Sequence, residues 1–430
     1  MAMGAVALSV GVLAACSSGG SSPSAGATTP ADTGPITIGA SLSLTPPSGN
    51  FTADGQAFQK GYELWARDVN ARGGIDGRKV VLKIMDNQSS PNQVVTDYQT
   101  LISTDHVDLT FGPFSSLLTT PASQVAAHNG YAFLEGAGGA PAVFDAASNQ
   151  ADHNTFDVSL PVEDTIMPFV DYIAKLPLSK REQLTAAYPM ASDPFADPPV
   201  QLAEQKLSAL HVRTLGGTSG FISQPFPEVP SSYPTAAAEV ATLHPDIVVL
   251  GSTDVPTVQA FMKVFEQRNY TPKMFLAASG PDQGGAFTSA VGQQDASGMM
   301  VPDGWYPGFI NASSEAMVKE YVKLYGGSAS DVNADVAEAY SVGQVAAAAI
   351  QATGGTDNTK IIQYLHSGVT IQTVQGPVQF NSLGENVAAD AFVFQWQDNG
   401  TKFVQVLPQG SAGSKTIYAT KPAWAATTTG

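Results

Sequence analysis

The chain has a single cysteine, Cys16, in 430 residues. That excludes an intrachain disulfide, a cysteine metal cluster and a thiol nucleophile in the folded part. Basic residues are also scarce, with 20 Lys and Arg against 37 Asp and Glu and a formal net charge of −17. A surface of that sign repels phosphate backbones and argues against nucleic-acid binding. Charged residues reach only 13%, so the surface must lean on Ser, Thr, Asn and Gln. The scattered histidines (His106, His128, His153, His211, His244, His366) show no HxxxH or HExxH spacing, and no metal site is expected. No GxSxG elbow frames a serine nucleophile. No apolar run reaches the ~18 residues of a membrane helix. The expectation is a protein with no catalytic residue and no cofactor.

What is present begins with a short apolar run over residues 2–15, ending Leu13-Ala14-Ala15-Cys16 and followed by Ser17-Ser18-Gly19-Gly20. An apolar stretch with small residues before a cleavage point has the form of a secretory signal. With cysteine at the first mature position it resembles a bacterial lipobox. That resemblance implies that residues 1–15 are removed and that Cys16 is lipidated, which anchors an extracytoplasmic protein to the cell membrane. Residues 16–35 are rich in Ser, Gly, Thr, Ala and Pro and read as a flexible tether.

From residue 36 the pattern changes to strand-length apolar runs (36–40, 80–85, 108–111, 131–134) alternating with helical stretches (58–70, 94–103, 121–128). It recurs after residue 180, with strands at 184–188, 212–215, 246–251 and 273–277 between helices at 200–210, 235–243 and 255–268. Repeated βαβ units predict a parallel sheet with helices on both faces. Two such runs in a chain of this length and 43% hydrophobic content predict an α/β protein of two doubly wound, Rossmann-like lobes. Helices are expected again at 314–325 and 332–352, then strands at 377–380, 391–397 and 403–407, the last two joined by an Asn399-Gly400 hairpin turn. Residues 409–430 read as a disordered tail.

The stretch DLTFGPFSSLLTTPASQVAAHNGYAFLEGAGGAP, residues 108–141, draws the most attention. It places two strand-ending loops side by side, where ligands bind in open α/β sheets. The first loop carries Ser115, Ser116, Thr119 and Thr120 at a helix start. These either cap the helix or seat an anion or carboxylate. The second, Gly136 to Pro141, is nearly bare, so backbone N–H and C=O groups can approach a ligand closely.

Taken together, ITIGASLSLTPPSGNFTADGQ from residue 36, NARGGIDGRKV from residue 70, the 108–141 stretch, GPVQFNSLGEN from residue 376 and QWQDNG from residue 395 carry a family likeness. The chain resembles the type I periplasmic binding proteins, in particular the leucine-binding-like, branched-chain amino-acid branch of ABC importer substrate-binding proteins. The likeness implies two lobes joined by a three-strand hinge, with lobe 1 at 36–158 and 305–374, lobe 2 at 159–304 and 375–408, and crossings near Val158, Val301 and Val374. It implies a monomer that captures a small polar solute (an amino acid, amide or related compound) between the lobes and delivers it to ABC permease subunits. The alternative is a sensor that reports the ligand to a membrane receptor.

By resemblance, Ser116 and the loop Ala137-Gly138-Gly139 hold the ligand's carboxylate and amine, with Ser115 beside them. The family's threonine is replaced by Gly139, and its amine-pairing acid falls near Ala278-Ser279, where this chain has none. Asp254, Asp193 and Asp54 are candidates for that role, and Thr253 and Ser279 are further contacts from lobe 2. The family's lobe 1 disulfide would join the positions of Ser89 and Ser115. Phe114, Phe195, Trp305 and Tyr306 are aromatic candidates for the cleft, and Trp305 and Tyr306 equally for the core. Asp54 either faces the cleft or favours a helix dipole.

Overall fold

The computed structural model describes residues 34–45, 51–144, 153–216, 230–308 and 311–425. Cys16, the expected leader and most of the tether lie outside them. No described helix is long and apolar enough to cross a membrane.

The first sheet consists of β1 (Ile36–Leu42), β2 (Val80–Asp86), β3 (Leu109–Phe111), β4 (Phe133–Glu135) and β5 (Thr155–Asp157). All are parallel, in the order β2-β1-β3-β4-β5. The second sheet starts with β6 (Thr185–Ala187), β7 (Arg213–Thr214), β8 (Ile247–Leu250), β9 (Met274–Ala277) and β10 (Met299–Asp303). A small ribbon follows, β11 (Ile371–Thr373) against β12 (Gly376–Val378). The hairpin of β13 (Phe392–Gln397) and β14 (Lys402–Leu407) then completes the second sheet antiparallel, giving the order β14-β13-β10-β9-β8-β6-β7. Its turn carries positive φ at Asp398, Asn399 and Gly400, as the Asn-Gly pair requires.

Local sequence explains why these strands are central. In β8 every side chain is buried, and alternate residues feed two cores. Ile247 and Val249 join one with Phe169 and Val200, while Val248 and Leu250 join another with Val258 and Phe265. A parallel strand covered on both faces needs such an unbroken apolar run. In the first lobe, Ile36, Ile38, Ala40 and Leu42 pack into a core with the helices Thr52–Ala71 and Ala334–Thr353.

The chain therefore passes between lobes after β5, after β10 and between β12 and β13. Val158 does sit at the first crossing, immediately beyond β5. Val301 pairs with Phe394 inside the second sheet, and the chain leaves that sheet two residues later, after Asp303. Val374 lies between the strands of the small ribbon, so the third crossing comes later. Val378 and Phe380 belong to the first lobe's core, where Phe380 packs on Phe156 with ring centroids 5.1 Å apart. These side chains are apolar and would be exposed if lobe 2 began at residue 375. The returning segment also covers the open edge of β5, where Asp157 N–H donates to Gly384 O at 2.9 Å.

The expected disordered tail is the clearest departure. Residues 409–425 dock on the second lobe, with Ile417 and Lys421 buried. Lys421 Nζ donates to Asp295 O at 2.8 Å and Ser297 O at 2.9 Å, and it lies 4.1 Å from the Trp424 ring centre. Trp424 Nε1 donates to Tyr270 O at 2.8 Å. The stretch is dominated by small polar residues, and three anchors suffice to pin it. Replacing Lys421 with alanine removes both carbonyl partners and is expected to cost about 2 kcal/mol, measured by chemical denaturation of the full chain.

Candidate functional site

Residues just beyond the carboxyl ends of β3, β4, β5, β8, β9 and β10 line a common cleft with about 830 Å³ of empty space, part of it open to solvent. Both lobes contribute. Gln283 of the second lobe bridges to the first: its Nε2 donates to Asp335 Oδ2 at 3.2 Å, and its Oε1 accepts from Asn333 Nδ2 at 2.9 Å. Near the crossings, Ser159 and Gln375 exchange side-chain hydrogen bonds at 3.3–3.4 Å.

Of the residues expected from sequence, Phe114, Ser115, Ala137, Gly139, Asp193, Phe195, Thr253 and Ser279 line this cleft. Ser115 starts the helix Ser116–His128 from a φ of 82°, and its hydroxyl caps the Leu118 N–H at 3.4 Å. Phe114 extends an aromatic group with Phe51 and Phe58, at centroid distances of 5.7 and 5.5 Å.

Six expected residues are not on the wall; one, Tyr306, packs on Phe394 with ring centroids 4.8 Å apart. Ser116 is fully buried, and its hydroxyl accepts the Ala140 N–H at 3.2 Å, so it braces the second loop. Gly138 packs inward, where a Cβ would meet the Glu135 carboxyl and Thr119 Oγ1. Asp254 caps the helix Val255–Gln267, with Oδ1 accepting from Thr257 N–H at 2.8 Å and Thr257 Oγ1 at 2.6 Å. Trp305 is completely buried and donates to Ser314 Oγ at 2.9 Å; it borders a neighbouring hollow that shares Asp282 and Asp303 with the cleft. Asp54 stands behind the wall in the first turn of Thr52–Ala71.

The bareness of the 136–139 loop has a different cause from the one expected. A Cβ on Gly139 would fall on Asp157 Oδ2, as one on Gly138 would on Glu135 Oε2. The space those side chains would occupy is filled by the protein's own carboxyls. Glu135 and Asp157 are register neighbours on β4 and β5. Ala137 N–H donates to Glu135 Oε2 at 3.1 Å and Ser159 N–H to Asp157 Oδ1 at 3.0 Å. Their other oxygens have no N–H or hydroxyl partner among the described residues.

Six carboxyls line the cleft: Asp157, Asp193, Asp282, Asp303, Asp335 and Glu338. Among the described residues no Lys, Arg or His does. Burial, then Asp282, pushes Asp335 up to about 8, against hydrogen bonds from Gln283 and Asn333. Burial raises Asp157 to about 7, with Glu385 and Glu163 adding to it and bonds from Glu135 and Ser159 opposing it. Glu338 and Asp303 are held well above the ordinary range by burial and by neighbouring acids. Asp282 and Asp193 are raised chiefly by burial. Behind the wall, burial and surrounding carboxyls hold Asp54 and Glu135 well above it too. Desolvation and like charge both favour the neutral acid, so the empty cleft retains protons that ordinary aspartates would have lost.

Sequence reasoning missed most of these acids. Glu135, Asp157 and Asp303 are each the last residue of an apolar strand, a position that in this fold points to the ligand crevice. Asp335 and Glu338 stand three residues apart, on one face of the first turns of an otherwise small and apolar helix.

Residues 35–401 match a family described as periplasmic binding protein. Over 385 residues the chain is 25% identical to the Leu/Ile/Val-binding protein homolog 7 of Brucella melitensis, covering 87% of this chain and 92% of that one. Among solved structures it is similar to a leucine-binding protein of Thermotoga maritima, with a TM-score of 0.71 at 15% identity over 86% of this chain and 97% of that one. It is also similar to a solute-binding protein of R. palustris in complex with benzoate, with a TM-score of 0.70 at 18% identity over 91% of this chain and 98% of that one.

Proposed function

The chain belongs to the periplasmic binding protein family, and from that premise we propose that it captures a small solute in the cleft between its lobes and delivers it to the membrane subunits of an ABC importer. The observation that carries this reading is the shared wall: both lobes contribute side chains to one hollow, beside three chain crossings that can act as a hinge. A ligand touching both walls stabilises the closed arrangement over the open one by the contacts only the closed form makes. The Leu/Ile/Val-binding and benzoate-bound relatives support a small organic solute as the cargo. Lipidation at Cys16 would hold the protein beside its permease.

Gln283 is a latch in this scheme, since its amide is the bridge from lobe 2 to Asn333 and Asp335. Substituting Gln283→Ala is expected to weaken ligand binding by about 5- to 10-fold, the worth of one or two hydrogen bonds to polar or charged groups. Small-angle scattering with and without ligand tests the closure itself. The native chain should compact on binding, and an unchanged radius of gyration with saturating ligand counts against hinge capture.

A further inference from the structure

Every titratable side chain on the wall of the cleft is an acid. Its six carboxyls come from both lobes, and none of the ion pairs among the described residues includes one of them. Asp193 shows the consequence most plainly. The residue lines the cleft but is only 3% exposed; its Oδ1 accepts the Phe195 N–H at 2.8 Å, and its buried Oδ2 has no hydrogen-bond partner among the described residues. A carboxyl buried without a cation or a full set of donors is costly, and such groups persist where something else completes them.

Building on the solute-capture reading, we propose that the cargo is an organic cation with several N–H donors and no carboxylate, such as an amine, diamine or guanidine. An α-amino acid zwitterion fits this wall poorly. Ser116, expected to receive its carboxylate, is fully buried and off the wall, and the Gly139 position is backed by the Asp157 carboxyl. A carboxylate placed there faces acids and no cation in a poorly solvated site. A single metal ion fits no better, because no three acidic, cysteine or histidine side chains among the described residues converge as ligands. Acids spread along the cleft suit donors spread along a molecule. Phe51, Phe114, Phe195, Leu160 and Val162 offer an apolar wall for its carbon frame.

The test uses the full chain in thermal-shift and calorimetric titrations with 1,4-diaminobutane, agmatine, phenethylamine, leucine, benzoate and calcium chloride. At least one of the three amines should raise the unfolding midpoint and bind about tenfold or more tightly than leucine or benzoate. The substitution Asp193→Asn should weaken that binding about tenfold or more. In the ligand-free protein it should leave the midpoint unchanged or raise it, since it removes a buried carboxyl with an unpartnered oxygen. Leucine or benzoate binding with the amines silent overturns the cation proposal while leaving solute capture standing. Calcium binding with the amines silent does the same. Silence from every probe, with no compaction in scattering, overturns both. A lower ligand-free midpoint for Asp193→Asn overturns the claim that Asp193 waits for a ligand.

Discussion

Raising the pH from about 5 to about 8 is expected to destabilise the ligand-free protein by roughly 5 kcal/mol, an order-of-magnitude sum over its buried cleft acids. The sign follows from the raised values. In the unfolded chain Asp157 and Asp335 ionise near the ordinary aspartate value of 3.8, whereas in the fold burial and neighbouring acids hold them at about 7 and about 8. The folded state therefore binds more protons across that interval. Their stabilising contribution is full below the unfolded value and is lost as the pH rises through the folded ones. Asp197, raised to about 6 by burial and Asp193, acts in the same direction. The surface acids Asp86 and Asp246, lowered by hydrogen bonds that outweigh a partial burial cost, act below this window. Lys421, depressed by burial to about 8, acts above it. Thermal denaturation across pH should show the midpoint falling toward alkaline pH, and an Asp157→Asn, Asp335→Asn double variant should flatten the profile. A midpoint that rises steadily over the same range would mean that these acids are solvated or paired.

Replacing Gly343 with valine should cost about 3 kcal/mol or more, the upper end of overpacking in a rigid core. The helices Thr52–Ala71 and Ala334–Thr353 approach closely because each presents a glycine to the other. A Cβ on Gly343 would stand 2.5 Å from Trp65 Cε2 and nearer still to two other ring carbons. One on Gly61 would stand 2.6 Å from both Ala339 Cβ and Val336 O. Trp65 cannot swing away, being 1% exposed and packed on Phe111 at 5.6 Å. The pair is tied further along by Tyr340 Oη donating to Asp68 Oδ2 at 2.8 Å. The second of these helices carries Asp335 and Glu338 to the cleft, so the damage should reach ligand binding as well as stability. Gly355→Ala is the control, since nothing lies within 4 Å of the added carbon. It should leave the denaturation midpoint nearly unchanged. Near-equal midpoints for the two variants would mean that the helices are further apart than described.

How far the sequence could be read follows from which signals are local. The apolar runs of β8 and β9 and the strand–helix alternation announce parallel sheets, and the Asn399-Gly400 turn the antiparallel hairpin that completes the second, because each depends on neighbours along the chain. The loops at Ser115 and at Ala137 to Gly139 were found for the same reason. Of the two expected serines Ser115 lines the hollow and Ser116 does not, since only packing reveals that Ser116 is fully buried against Ala140. The acids were hidden by a non-local fact. Asp157, Asp303 and Asp335 lie in separate segments of the chain, and only the three crossings bring them into one cleft. The docked tail was hidden by composition, because Ile417, Lys421 and Trp424 are spaced through Ser, Thr, Gly and Ala.

Calorimetric titration of the full chain with the tightest-binding amine, at about pH 6.5 in two buffers of different ionisation enthalpy, is the most direct measurement. A cation entering a cleft whose acids hold protons must displace them. The heat should therefore differ between buffers by an amount that corresponds to roughly one proton or more released per ligand, and affinity should rise with pH up to about 8. Buffer-independent heat and pH-independent affinity, or protons taken up on binding, would contradict the reading of these carboxyls as the ligand's partners.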